Sequence, residues 1–257
     1  MDISSIITDE SGFINMWSDK TGNFNVKSAG QNRPKLVSTA INGNPAINFT
    51  GSNIGMVSDA KHSRSSNNPF TWLMALKSTS DDMLKHVFTT TGADWTELGV
   101  GTDYFPIAAT TNGVFSYHQE LKFFENETLL KDHLQIYTVR FDGSELIASM
   151  GIPDPLNAIA VDWTKEQVGH INIGKHSHDR SMDFEGFIGE ILAYDIALDW
   201  NVLTNLINEL SKKWTAGIQW KKSEIGKFIY FINIKYICCE FNVKVKLDFT
   251  YALYFIK

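Results

Sequence analysis

The sequence predicts an all-β fold, a sandwich or barrel of antiparallel strands, with one helix near its C-terminal end. Three observations predict it. Short apolar segments with a two-residue period recur through the first three quarters of the 257 residues. Turn dipeptides punctuate them at Asn42-Gly43, Thr50-Gly51, Thr91-Gly92, Asn112-Gly113 and Asp142-Gly143. A single stretch, from Asp199 to Trp214, has helical spacing instead. Many short strands with regular turns are the pattern of sandwiches and barrels.

The elements follow from local pattern. In Ile136–Phe141, Tyr137, Val139 and Phe141 alternate with Ile136, Thr138 and Arg140, the period of a half-buried strand. Asp142-Gly143 turns the chain, and Leu146–Met150 returns as its hairpin partner. Phe70–Leu76 is apolar at successive positions, so it reads as a central strand covered on both sides. Ala46–Phe49, Leu84–Thr89, Thr96–Gly101, Gly113–His118, His170–Ile173 and Phe187–Tyr194 complete the strand set. Asp199 offers a carboxylate to the first turn of the helix, about 199–214. Trp200, Leu203, Leu206, Ile207, Leu210 and Trp214 form its apolar stripe, and Lys212 and Lys213 suit its C-terminal dipole.

Composition excludes some functions. Twenty-nine acidic residues outweigh 23 basic ones, a formal charge of −6, which offers no footprint for nucleic acid. The only cysteines, Cys238 and Cys239, are adjacent and make no disulfide framework. The opening residues lack the basic and apolar regions of a signal peptide. From Ile218 onward the character changes: Phe, Ile, Tyr and Lys crowd the chain, and the charge is +4 against −10 for the rest. Lys227, Asn233 and Lys235 interrupt its apolar run before a membrane span is reached. Two readings of 218–257 stay open: AT-rich read-through past an older domain end, or an extra pair of strands.

Four motifs carry a family resemblance. They are Trp17-Ser-Asp-Lys-Thr-Gly22-Asn23, Asn42-Gly43-Asn-Pro-Ala-Ile-Asn-Phe49-Thr-Gly51, Phe187-Ile-Gly189-Glu190-Ile-Leu-Ala-Tyr194-Asp-Ile-Ala-Leu198, and the helix end Leu210-Ser-Lys-Lys-Trp214. Their order resembles the laminin-G-like jelly-roll domains of bacterial and phage type in the concanavalin A-like lectin/glucanase superfamily. The resemblance implies an all-β antiparallel two-sheet jelly-roll sandwich over residues 1–217, with 218–257 as an atypical tail. The family has a strand or two before the Trp17 motif. Here Met1–Ser11 leave room for a short strand or none, which predicts an unpaired edge. Met150-Gly151 stands where the family carries Asn-Gly. Glu190, inside an apolar strand, calls for a partner such as a backbone amide or an arginine.

Glucanases on this fold place two carboxylates on alternate positions of one strand. The nearest match is Asp183-Phe-Glu185, preceded by Ser181 rather than an acid, so both acids are expected in a solvated loop and no catalytic residue is assigned. The expected role is a non-catalytic module binding a carbohydrate or cell-surface glycoconjugate. Its expected ligand residues are Asp94, Trp95, Tyr104, Tyr117 and Trp163, where rings that stack on sugars neighbour polar groups. His176, His178 and Asp179 have metal-like spacing, though a solvated polar loop is the preferred reading. The resemblance implies calcium as the other ion, with Asp94, Asp103 and Asp179 as loop candidates. Two alternatives remain: a structural or host-attachment part of a virion or phage tail, partnered by other virion or adhesin subunits and located at a virion or cell surface, and a glycoside hydrolase with a degenerate site.

Overall fold

A computed structural model describes residues 5–29, 32–51, 54–64, 67–80, 85–90, 105–110, 113–117, 130–160, 167–175 and 183–215. Fifteen strands and one helix fill these segments. One sheet holds eight strands: β1 (Ile6–Thr8), β2 (Ile14–Trp17), β3 (Val26–Ser28), β6 (Met56–Arg64), β14 (Gln167–Ile173), β8 (His86–Thr90), β9 (Phe105–Thr110) and β10 (Gly113–Tyr117), in that spatial order. The other holds seven: β13 (Ile159–Ala160), β12 (Glu145–Met150), β11 (Leu134–Phe141), β7 (Phe70–Ser78), β15 (Gly186–Tyr194), β5 (Asn44–Asn48) and β4 (Lys35–Ile41). Every strand pairing within the sheets is antiparallel. The expected all-β two-sheet sandwich with one helix is therefore the observed fold.

The core lies between the sheets. Phe70, Trp72, Met74 and Leu76 point inward from β7 and meet Tyr137, Val139 and Phe141 of β11. Phe88 of β8 closes the stack from the opposite sheet, with its ring 4.6 Å from that of Trp72 in edge-on geometry. The alternate residues of β7, Leu73 and Ala75, face the other way and pack with Ile136 under the helix. This is why Phe70–Leu76 reads as apolar on both faces.

Helix α1 (Trp200–Thr215) covers the outer face of the seven-stranded sheet. The Asp199 carboxylate accepts from the Asn201 amide at 2.8 Å, the expected N-cap. Leu203, Ile207, Leu210 and Trp214 are its buried stripe. The other end is held by the β4–β5 hairpin. Asn42 and Gly43 have φ of 50° and 83°, the turn that an Asn-Gly pair favours. From there the Asn42 side-chain amide donates to the Trp214 carbonyl at 3.0 Å, and that of Asn44 to the Lys213 carbonyl at 3.3 Å. Two helix-end carbonyls thus gain donors from a turn.

Of the two options for the N-terminal residues, the short strand is the one observed: three-residue β1 pairs to β2, which Trp17 ends. The Glu190 carboxylate accepts from Lys213 Nζ at 2.5 Å and from the Trp214 indole at 3.2 Å, partners supplied by the helix. Asp183 is not solvated, being 3% exposed. Phe184 beside it is fully buried, and the segment forms a bridge with His86 that draws Asp183 down with it.

Candidate functional site

Strand register sorts the loops between two ends of the sandwich. At one end β2, β6, β8 and β10 finish while β3, β9 and β14 begin. The start of β7 and the finish of β15 lie at the same end, since Trp72 meets Phe88 and Tyr194 pairs with Thr71. A cleft of about 410 Å³ opens here between the sheets. Trp17, Phe88 and Ile171 line it from one sheet, and Trp72, Ile191 and Tyr194 from the other.

The rim of the cleft is the loop joining β2 to β3. Asp19 organises it. The Asp19 amide donates to Asn25 Oδ1 at 3.0 Å, and the Gly22 amide donates to the Asp19 carbonyl at 3.0 Å. The Asp19 carboxylate accepts from the Thr21 hydroxyl and from the Asn23 amide. This explains the aspartate, glycine and asparagine of the Trp17 motif as a self-bonded turn. Burial raises the Asp19 pKa, but donors from Thr21, Asn23 and Phe24 outweigh it and hold the carboxyl below its ordinary value of 3.8. The turn sets half-buried Phe24 on the cleft wall, with Lys20 beside it.

β15 forms the opposite rim. A bulge between Ile188 and Glu190 resets its alternation. Without the bulge, Glu190 would follow Ile188 into the inter-sheet core. With it, Glu190 turns to the helix face while Ile191 packs inward. Burial raises the Glu190 pKa, and the Lys213 ammonium and Trp214 indole more than reverse this, holding it below 4.5. Exposed Asp195 follows the last residue of the strand and is a second carboxylate residue at the cleft.

Asp94, Trp95, Tyr104 and Trp163 lie outside the described residues, as does the side chain of Tyr117. The described ends flanking them are Thr90, Phe105, Tyr117, Ala160 and Gln167. All belong to the cleft's end of the sandwich. His176, His178 and Asp179 also lie outside the described residues. They fall between Lys175 and Asp183, which belong to the other end, where Gly174 bonds Val87 and Asp183 bridges His86. The described residues that flank the two sets therefore lie at opposite ends of the sandwich. Among the described residues no cluster of three or more histidine, cysteine or acidic side chains suits a metal ion. The calcium candidates Asp94, Asp103 and Asp179 are outside them. No described helix is long and apolar enough to cross a membrane.

Sequence reasoning missed Trp17, Asp19, Phe24, Tyr194 and Asp195 as cleft residues. Trp17 and Tyr194 were legible, but as parts of scaffold motifs.

No family model matches the chain, and no curated protein matches it. Solved structures do share its fold. A mutant sialidase of Trypanosoma rangeli with trans-sialidase activity is 12% identical with a TM-score of 0.55, over 81% of this chain and 33% of its own. Domain 4 of the extracellular GH43 arabinanase AbnA from Geobacillus stearothermophilus, in complex with arabinotriose, is 18% identical with a TM-score of 0.55. That match covers 74% of this chain and 92% of the domain. A GH54 α-L-arabinofuranosidase is 12% identical with a TM-score of 0.58, over 77% of this chain and 50% of its own. The chain thus spans about a third of the sialidase it matches. At these identities the likeness establishes the fold: a jelly-roll-like β-sandwich of a kind present in carbohydrate-active enzymes. It also corrects one expectation. The chain was expected not to be an enzyme, and that exclusion falls, because its structural neighbours are glycoside hydrolases. The missing carboxylate pattern was judged against one arrangement only, and a shared sandwich does not fix where catalytic acids sit.

Proposed function

We propose that the chain is a glycan-recognising sandwich domain of a carbohydrate-active protein, of the concanavalin A-like, laminin-G-like kind, and that the end cleft receives the sugar. The observation that carries this is the cleft's make-up. Aromatic rings of Trp17, Phe24 and Tyr194 line a space of about 410 Å³ that carboxylates border. Clefts of this size bind small ligands, flat rings suit the apolar face of a pyranose or furanose, and acceptors hold its hydroxyls. Domain 4 of the arabinanase, nearly all of which this chain matches, carries arabinotriose in its solved form. In this reading Asp94, Trp95, Tyr104, Tyr117 and Trp163 extend the same site, since the strand ends beside them open on the same end. The His176, His178 and Asp179 set takes no part in it.

Calorimetric titration of the chain with arabinotriose and other short oligosaccharides tests the reading, with release of reducing sugar followed on the same panel. Phe24→Ala and Trp17→Leu, each checked for an intact unfolding transition, are expected to weaken binding about tenfold by removing a stacking face. Binding unchanged in both variants, or absent across the panel, overturns it.

A further inference from the structure

We infer that the cleft selects neutral sugars and discriminates against acidic ones. This rests on the glycan-recognition reading above and names the substrate class of that same site.

The charges on the cleft decide it. Four charged residues border it, Asp19, Lys20, Glu190 and Asp195, of which Glu190 turns its side chain to the helix face. Glu190 is already neutralised by Lys213 and bonded by the Trp214 indole, so it presents no net charge to a ligand. Asp19 stays ionised in its donor-rich turn, half-buried against the wall. Asp195 is exposed at the end of β15. Lys20 offsets one of these two carboxylates from the loop tip. The chain as a whole is acidic too, with a formal charge of −6.

Binding an acidic sugar needs the reverse. Its carboxylate is best met by a guanidinium fork, which supplies two parallel donors. No arginine is among the described residues lining the cleft. The described Arg33 side chain is committed to Asp9 and Asn15. Arg140 lies over the Trp200 ring at 4.5 Å and donates to the Leu198 carbonyl at 3.0 Å. A neutral sugar, by contrast, is a polyol with hydroxyl hydrogens to donate. Ionised carboxylates are its strongest acceptors, and they incur no like-charge repulsion with it.

The test compares arabinotriose and galactotriose with trigalacturonate and 3′-sialyllactose, by titration of the full chain at low and high salt. The inference predicts that a neutral trisaccharide binds about tenfold or more tightly than the acidic ones at low salt, from two like charges at close range. The gap should narrow as salt screens the carboxylates. Asp195→Asn should narrow it further, by about threefold, through improved binding of the acidic sugars. Acidic sugars binding as well as neutral ones would overturn the inference while leaving glycan recognition intact. No binding by any of the four would overturn both.

Discussion

Gly189 sits in the β15 bulge directly beneath the last buried residue of the helix. A methyl group at this position would lie 2.2 Å from the Trp214 ring, with two further ring atoms at 2.5 Å. Trp214 is 1% exposed, so its ring has no solvent side to swing into. Gly189→Ala must therefore displace the indole. Overpacking of this kind costs about 1–3 kcal/mol. Moving the indole also breaks its hydrogen bond to Glu190, worth about 1.5–3 kcal/mol when the acceptor is charged. The expected loss is about 2.5–6 kcal/mol, read from urea unfolding of the full chain. The cause is checked by a second background. In Trp214→Leu the smaller side chain leaves room for the methyl, so Gly189→Ala should cost about 1 kcal/mol or less there. A loss below about 0.5 kcal/mol in the parent, or an equal loss in both backgrounds, would refute the reasoning.

The Glu190 pair predicts a pH dependence. Its folded pKa is depressed, so its contribution is present above the ordinary glutamate value near 4.5 and is lost as pH falls through the folded value. Asp9, Asp19 and Asp142 are depressed as well, so the parent destabilises on acidification for several reasons. Glu190→Gln should flatten part of that fall in urea titrations taken from neutral to about pH 3, and an unchanged profile would count against the pair. At the hairpin, Asn42→Gly keeps the positive φ and loses only the bond to the helix end, at about 1 kcal/mol. Asn42→Ala adds the left-handed backbone cost and should lose about 2 kcal/mol in all. Truncation after Gly217 should retain one cooperative unfolding transition, because the change in composition and charge from Ile218 onward marks the end of the domain pattern. Loss of folding on truncation would show instead that the tail belongs to the domain.

The sequence was most legible where a single physical rule acts alone. Period-two alternation placed Tyr137, Val139 and Phe141 on the core face, and helical spacing with Asp199 placed the helix. It failed where pairing or packing overrides local pattern. Met56–Arg64 reads as polar, yet it is a nine-residue strand because β3 and β14 flank it and supply both ladders. Strict alternation cannot foresee the bulge that moves Glu190 to the helix face, so its partners Lys213 and Trp214 were unreadable before the helix docked. The solvated reading of Asp183 failed because Phe184, fully buried, takes its neighbours inward. The cleft was missed for a different reason: Trp17 and Tyr194 belong to motifs that explain themselves as scaffold. Only strand register shows that the Trp17 turn and the end of β15 face one another across the same opening.

A crystal structure of the chain with arabinotriose tests the central claim most directly. The trisaccharide should lie between the 18–25 turn and β15, with a sugar ring against Trp17 or Phe24 and hydroxyls directed at Asp19 and Asp195. Sugar seated at the opposite end near Asp183, or on the outer face beside the helix, would contradict it.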